Sequence, residues 1–260
     1  MATGYREDVV QIGPSKVHLL KAGDGEPVVV LHQDIGNPGW LPFHQELARR
    51  FTVYVPSHPG FGKSDRPDWA RNVRDLALLH QWVLKRLNLS RVSLVGLGLG
   101  GWLAAELATM SPWQFKKLVL VGAAGVKPKE GEIMDQFLVS VIDYIRAGFS
   151  DQRKFDELFG ADPDLDQLEA WEINREMTAR VAWKPYLFNQ ALPHLLPGVD
   201  VPALVVWGKD DRQVPLSCGR QYAELLPRSK LQVIEGCGHY VEIERPAELA
   251  KLAIEFLGAA

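Results

Sequence analysis

The run RVSLVGLGLGGWLAAELA, Arg91 to Ala108, decides the fold. A β-branched apolar segment passes through a cluster of glycines into an alanine-rich stretch with helical spacing. Gly96, Gly98 and Gly101 fit G-x-G-x-x-G, the phosphate-cradling turn of a dinucleotide-binding unit. The same residues fit a nucleophile elbow, G-x-S-x-G, with Gly98 where the serine belongs. A dinucleotide turn follows the first strand of its unit and is answered by an acid about 20 residues on. Here the turn follows the third apolar run of the core, and Lys116 and Lys117 stand at that distance. An elbow needs small flanking residues, an acid after a later strand and a histidine after the last one. Gly96 and Gly100 are small, VVWGKDDRQVP places Asp210 and Asp211, and VIEGCGHYVEIERPAEL places His239. The elbow is the better reading.

Around this turn the chain alternates. Apolar runs at 27–32, 51–57, 91–96, 117–122, 202–208 and 230–236 suit strands buried on both faces. The segments between them carry apolar residues at three- and four-residue spacing. REDVVQIGPSKVHLLKAGDG reads as a hairpin that adds two antiparallel edge strands. The expected class is therefore α/β, a mostly parallel central sheet of about eight strands flanked by helices. The alternation stops after the 117–122 strand. EIMDQFLVSVIDYIRAGF and DLDQLEAWEINREMTARVAW read as helices with no strand between them. They predict an inserted helical cap over 126–198, on a core made of 1–125 and 199–260, above the carboxyl ends where open α/β sheets bind ligands.

A net charge of −3 without a run of one sign excludes a general nucleic-acid or anionic-membrane binder. The N-terminal MATGYREDVVQIG has charges where a secretion signal needs an apolar core, and no apolar run approaches a membrane span. A cytoplasmic protein with no membrane partner is expected. Cys218 and Cys237 make neither a disulfide framework nor a metal-ligand pattern, so neither a metal nor a cofactor is expected.

The combined motifs VVVLH, VPSHPGFGKSDRP, the elbow, WGKDDRQVP and GCGHYVEIERPAELAKLAIEFL resemble the α/β-hydrolase superfamily over nearly the whole chain. The similarity is to the capped group that includes carbon–carbon bond hydrolases, carboxylesterases and haloalkane dehalogenase relatives. It implies that Asp211, not Asp210, is the triad acid and that His239 is the general base.

Two positions depart from that pattern. Gly98 has no oxygen, so no acyl-enzyme forms there and the nucleophile position is vacant. The oxyanion hole implied by the resemblance uses the N–H of Leu99 and a second N–H at Asp34, where the family usually has His-Gly followed by a donor residue. Here LHQDIG puts Gln33 and Asp34 in that loop. Asp34 has three readings: a backbone donor only, a carboxyl that faces away or carries a proton, or an acid, base or anchor beside His239. Cys237, two residues before His239, is read as a small packing residue, since close neighbours on a tight loop seldom point at one another. Gln33, Trp40, Trp183 and Tyr186 are the expected substrate contacts, forming an apolar pocket.

Three functions fit these residues. Gly98 stands for a substituted serine in an ordinary hydrolase of a small ester-like or carbon–carbon bonded apolar substrate. Alternatively it is natural, and Asp211–His239 acts on water or a substrate proton. The third is a catalytically inactive member of the fold that binds a small apolar ligand or a partner. A homodimer is open on all three.

Overall fold

The computed structural model describes residues 4–259. Eight strands form one sheet: β1 (Arg6–Ile12), β2 (Ser15–Ala22), β3 (Pro27–Leu31), β4 (Thr52–Pro56), β5 (Val92–Leu97), β6 (Phe115–Val121), β7 (Ala203–Gly208) and β8 (Ser229–Ile234). The six runs read from the sequence are β3 to β8, and the N-terminal segment is the antiparallel hairpin β1–β2. The spatial order is β1-β2-β4-β3-β5-β6-β7-β8, with β3 to β8 parallel and β2 antiparallel to β4.

Ten helices accompany the strands among the described residues: α1 (Pro42–Leu47), α2 (Val73–Arg86), α3 (Leu99–Met110), α4 (Val141–Ala147), α5 (Gln152–Phe159), α6 (Leu165–Ala182), α7 (Leu192–Leu195), α8 (Leu216–Leu225), α9 (Val241–Glu244) and α10 (Pro246–Gly258). Side chains of α2, α3 and α8 build the core on one face of the sheet, and those of α1 and α10 build it on the other. Both faces are thus covered, which is why β5 and β7 are buried along their whole length while edge strand β8 is not. No helix among the described residues is long and apolar enough to cross a membrane.

The order of the strands places the site. From β3 the chain moves to one side to make β4, then crosses back through α2 to make β5 on the other side. The carboxyl ends of β3 and β5 therefore diverge at a topological switch point, where this class of sheet opens a crevice. The loop holding Gln33 and Asp34 leaves β3 there, and the Gly98 turn leaves β5 beside it.

Helices α4 to α7 lie between β6 and β7. The sequence segment 132–149 was expected to be helical throughout, but only Val141–Ala147 is, because Ser140 caps α4 by accepting a hydrogen bond from Asp143 N. Val141, Tyr144, Ile145, Phe149, Phe155 and Trp171 cluster with Ile35 and Tyr240, two residues of core loops. The inserted helices thus share a core with the loops after β3 and β8. Helix α6 is also tied by hydrogen bonds to the loops after β3 and β4. Asn174 Nδ2 donates to Ile35 O (2.8 Å), its Oδ1 accepts from Gly62 N (3.1 Å), and Thr178 Oγ1 donates to Asp34 O (3.3 Å).

Because Asn174 is buried, Asn174→Ala orphans two backbone groups as well as deleting two bonds. A loss of roughly 1–3 kcal/mol of stability is expected, measurable by denaturant unfolding. Hydrogen exchange in residues 33–36 should accelerate at the same time.

Candidate active site

The turn between β5 and α3 is held at Gly98, whose φ is +50° and ψ −111°, a region that side-chain-bearing residues occupy only under strain. Gly98 N donates to Val121 O (2.9 Å), and Gly98 O accepts from Gly101 N (3.0 Å), so the turn is bonded to β6 and to its own helix. Crowding explains the neighbouring glycine at 96: a Cβ there would strike Gly100 O and lie 2.6 Å from Gly101 Cα. Nothing about this turn cradles a phosphate. Leu99 is the first residue of α3, so its N–H has no acceptor within the helix and is presented at the turn.

Asp211 and His239 are brought together from the loops after β7 and β8. Asp211 Oδ1 accepts from Gln213 N (2.9 Å) and Val214 N (2.8 Å), which fixes the carboxylate, and Oδ2 receives His239 Nδ1–H at 2.7 Å. Asp210 turns instead to Ser150 Oγ (3.2 Å) at the surface. His239 N donates to Gly148 O (2.7 Å), so an inserted-segment residue sets the base of the imidazole. Burial disfavours the imidazolium most, but the Asp211 charge and hydrogen bond, with Asp34 and Glu242 nearby, outweigh it and raise the His239 pKa.

Gln33, expected as a substrate contact, stands against Gly98. Its side-chain amide fills the volume a serine at position 98 would need: a Cβ on Gly98 would collide with Gln33 Oε1 and lie 3.0 Å from His239 Nε2. Gln33 Oε1 lies 3.1 Å from His239 Nε2, and Gln33 Nε2 donates to Glu242 at 3.2 Å and 3.5 Å. The nucleophile position has no hydroxyl, and the Gln33 amide oxygen fills it. Burial pushes the Glu242 carboxyl up to about 7, opposed by hydrogen bonds from its own N–H and from Gln33.

Asp34 is buried next to Gln33, and Tyr144 OH donates to its Oδ2 at 2.7 Å. Its Oδ1 is buried without a partner among the described residues. Burial raises the Asp34 pKa, although the His239 charge and the Tyr144 hydrogen bond oppose that. A carboxyl held in this way carries a proton more readily than an exposed one, and a protonated Oδ1 is a hydrogen-bond donor. The Asp34 carboxyl is thus turned to Tyr144, and its charge reaches His239.

The expected aromatic wall is only partly assembled. Tyr186 is close enough to Asp34 to feel its charge, yet its hydroxyl is engaged with backbone, accepting from Gln136 N (2.9 Å) and donating to Met134 O (3.1 Å). Trp183 is half-exposed and packs edge-on against Phe137 and Tyr186, on the outer side of the inserted helices. Trp40 is not brought to the dyad. Its ring stacks on Tyr5, and Nε1 donates to Gln45 Oε1 (3.1 Å), so it packs at the start of α1. Cys237 is engaged by Glu244 (3.8 Å), in keeping with a packing role.

Beneath the site lies a group of histidines that the sequence did not bring together. His32 Nδ1–H donates to Gln33 O (2.7 Å), and its Nε2 accepts from His58 N (2.8 Å). His58 Nε2–H donates to His32 O (3.0 Å), which leaves Nδ1 to accept from His80 Nε2–H at 2.8 Å. His32 and His58 must be neutral for this pattern to hold, since each has one ring nitrogen that accepts. Burial lowers the pKa of His32 to about 4, of His80 to about 3, and of His58 well below 6.5. His32 holds the carbonyl of Gln33, and His58 and His80 hold His32 in place behind it. Glu242 and this trio were missed. The signals available were the histidine in SHPG, where the family often has an acid, and an acid one turn past His239.

Comparison with known proteins agrees with the geometry. The model of the "Alpha/beta hydrolase family" matches residues 28–252. The 2-hydroxymuconate semialdehyde hydrolase of Pseudomonas sp. (strain CF600) is 30% identical, over 94% of this chain and 91% of that protein. Among solved structures, a membrane phospholipase A superposes with a TM-score of 0.84 at 25% identity, covering 98% of this chain and 86% of that one. A serine hydrolase involved in carbazole degradation superposes with a TM-score of 0.80 at 25% identity, covering 98% and 99%. With its sheet order, its elbow and its paired Asp211 and His239, the chain belongs to the alpha/beta hydrolase family.

Proposed function

We propose that the chain is a hydrolase of a small apolar substrate that works by general acid–base chemistry, with no covalent intermediate. The observation that carries this is the intact, buried Asp211–His239 pair facing a nucleophile position occupied by an amide. Substrate binding displaces the Gln33 amide oxygen, and a water or substrate hydroxyl takes its place on His239 Nε2. His239 accepts that proton while Asp211 holds the Nδ1–H and stabilises the imidazolium. Negative charge developing on the substrate oxygen is met by Leu99 N–H and by the Asp34 carboxyl, whose burial favours the protonated form and which Tyr144 orients. A carboxylic acid kept neutral by an apolar site is an effective oxyanion donor.

Similarity to the 2-hydroxymuconate semialdehyde hydrolase supports a substrate carrying an enol hydroxyl and a conjugated carbonyl. Inserted helices 126–198 act as the cap in this proposal, and Tyr186 and Gln33 contact the substrate. A cytoplasmic location fits the same reading.

The test follows loss of absorbance of a 2-hydroxy-6-oxo-dienoate. His239→Ala is expected to lower kcat/KM by about 10²–10⁴-fold, and Asp34→Ala by about 10²-fold. No acyl-enzyme burst should precede steady state. Equal rates in wild type and His239→Ala would sink the proposal.

A second reading has its own observation. Gln33 saturates His239 Nε2, as a binding member of the fold would require. It predicts thermal stabilisation by the same dienoate, without turnover and retained in His239→Ala.

A further inference from the structure

We propose that Glu242 is the proton partner of His239, one proton being shared between imidazole and carboxyl through the Gln33 amide, which turns its oxygen toward whichever group carries it. Four buried side chains form the line: Asp211, His239, Gln33 and Glu242, joined at 2.7 Å, 3.1 Å and 3.2 Å. Asp211 anchors one end, because its Oδ1 is already filled by two backbone N–H groups.

Two arrangements satisfy every partner along this line. In the first, imidazolium Nε2–H donates to Gln33 Oε1, and Gln33 Nε2–H donates to the Glu242 carboxylate. In the second, the amide is turned by half a rotation. Gln33 Nε2–H then donates to neutral His239 Nε2, and protonated Glu242 donates to Gln33 Oε1. Passing from one to the other breaks one N–H bond at His239 and makes one O–H bond at Glu242. The proton count and the net charge of the line are unchanged. An amide is suited to this place because it offers a donor and an acceptor of similar shape.

Glu242 is the carboxyl that the Gln33 amide joins to His239, whereas Asp34, whose charge also reaches His239, is held by Tyr144. Asp211, Asp34 and Glu242 face His239, with the Tyr240 ring against its edge. Glu242 faces His239 and Gln33, with Glu244 on the same helix. Glu244 is occupied by Gly238 N (2.6 Å) and Asp151 N (2.7 Å). Helix α1 packs against α9 and brings His44, buried and held neutral, while its Glu46 pairs outward with Arg49. From the start of α10, Arg245 donates to Gly236 O, and Glu248 follows in the first turn.

Glu242 is thus a positioning residue. It touches no substrate but sets the pH range over which His239 is free to take a proton. Its use in catalysis rests on the acid–base function proposed above, whereas the sharing itself needs no substrate.

The experiment is a pH titration of the whole protein, labelled with ¹⁵N in the imidazoles and ¹³C in the glutamate carboxyls, with nothing added. In wild type, the His239 and Glu242 signals should report the same two macroscopic steps, as coupled sites do. Glu242→Gln should lower the His239 midpoint by about one pH unit or more, a tenfold change in the fraction protonated. Glu242→Asp should restore most of it. In a Gln33→Met background, the effect of Glu242→Gln should shrink severalfold, since the bridge is gone while the charge remains. Independent titration steps in wild type, or an equal shift with and without Gln33, would overturn the sharing. If the coupling is found and no dienoate is turned over, the relay stands and the hydrolase reading fails.

Discussion

The Gly98→Ser variant is expected to show no acyl-enzyme burst with p-nitrophenyl acetate, whereas Gly98→Ser combined with Gln33→Ala is expected to show one. In an ordinary elbow, restoring the hydroxyl would suffice. Here a Cβ at position 98 collides with Gln33 Oε1 and lies 2.9 Å from Gln33 Cδ. The glutamine is held from both ends, by Glu242 on its amide and by His32 on its carbonyl. Its side chain must leave the slot before a serine can approach His239. Removing it also frees His239 Nε2 to take the serine proton. The imidazole then yields by a few tenths of an ångström to relieve the 3.0 Å approach of the new Cβ. The double variant should exceed the single one by about 10²-fold or more in esterase rate, the usual worth of a positioned general base. Both variants place a side chain at φ +50°, which costs roughly 1–3 kcal/mol and should lower Tm by a few degrees. An equal burst from the single variant would show that Gln33 does not block the slot.

Acid should unfold this protein cooperatively, with net proton uptake beginning below pH 6.5. His32, His44, His58 and His80 are buried as neutral rings with depressed pKa values, to about 4 for His32 and about 3 for His44 and His80. Between those values and 6.5, the unfolded chain binds four protons that the folded chain refuses, so stability falls as pH falls. His239 has the opposite sign: its raised pKa gives stability that is fully present below 6.5 and is lost as pH rises through the folded value. Glu242 and Asp34 also oppose the loss, because they keep protons in the folded state that the unfolded chain releases. Four sites of uptake, offset in part by Glu242 and Asp34, leave a net uptake of at least about two protons. That corresponds to about 2.7 kcal/mol per pH unit, against a total stability of about 5–15 kcal/mol. From pH 6.5 to pH 4.5 the loss is then about 5 kcal/mol, which consumes the low end of that range. His80→Gln keeps a donor for His58 Nδ1 and should reduce the pH slope by about one proton. Urea midpoints measured from pH 7 to pH 5 check both values, and a flat profile would contradict the neutral trio.

The sheet and the dyad were legible because their signals are local. Six apolar runs each carry a full strand, and the elbow, Asp211 and His239 each sit in a short motif at the end of one. What escaped was made by contacts across the chain. Gln33 meets Glu242 over 209 positions, His32 meets His58 over 26, and no periodicity relates either pair. Gln33 read as a departure from the oxyanion loop, and only the fold shows that it answers Gly98. Trp40 was misplaced for a related reason: its position along the loop suggested the pocket, but Tyr5 and Gln45 supply a better surface on the other side. The 132–140 segment has helical spacing, yet the cap at Ser140 starts α4 late.

Reciprocal exclusion between positions 33 and 98 also constrains descent. Serine at 98 and the present rotamer of glutamine at 33 occupy one volume, so a chain carrying both must turn the amide aside. Passing through a small residue at either position avoids that conflict. The pair behaves as one inherited character, written at two places in the gene.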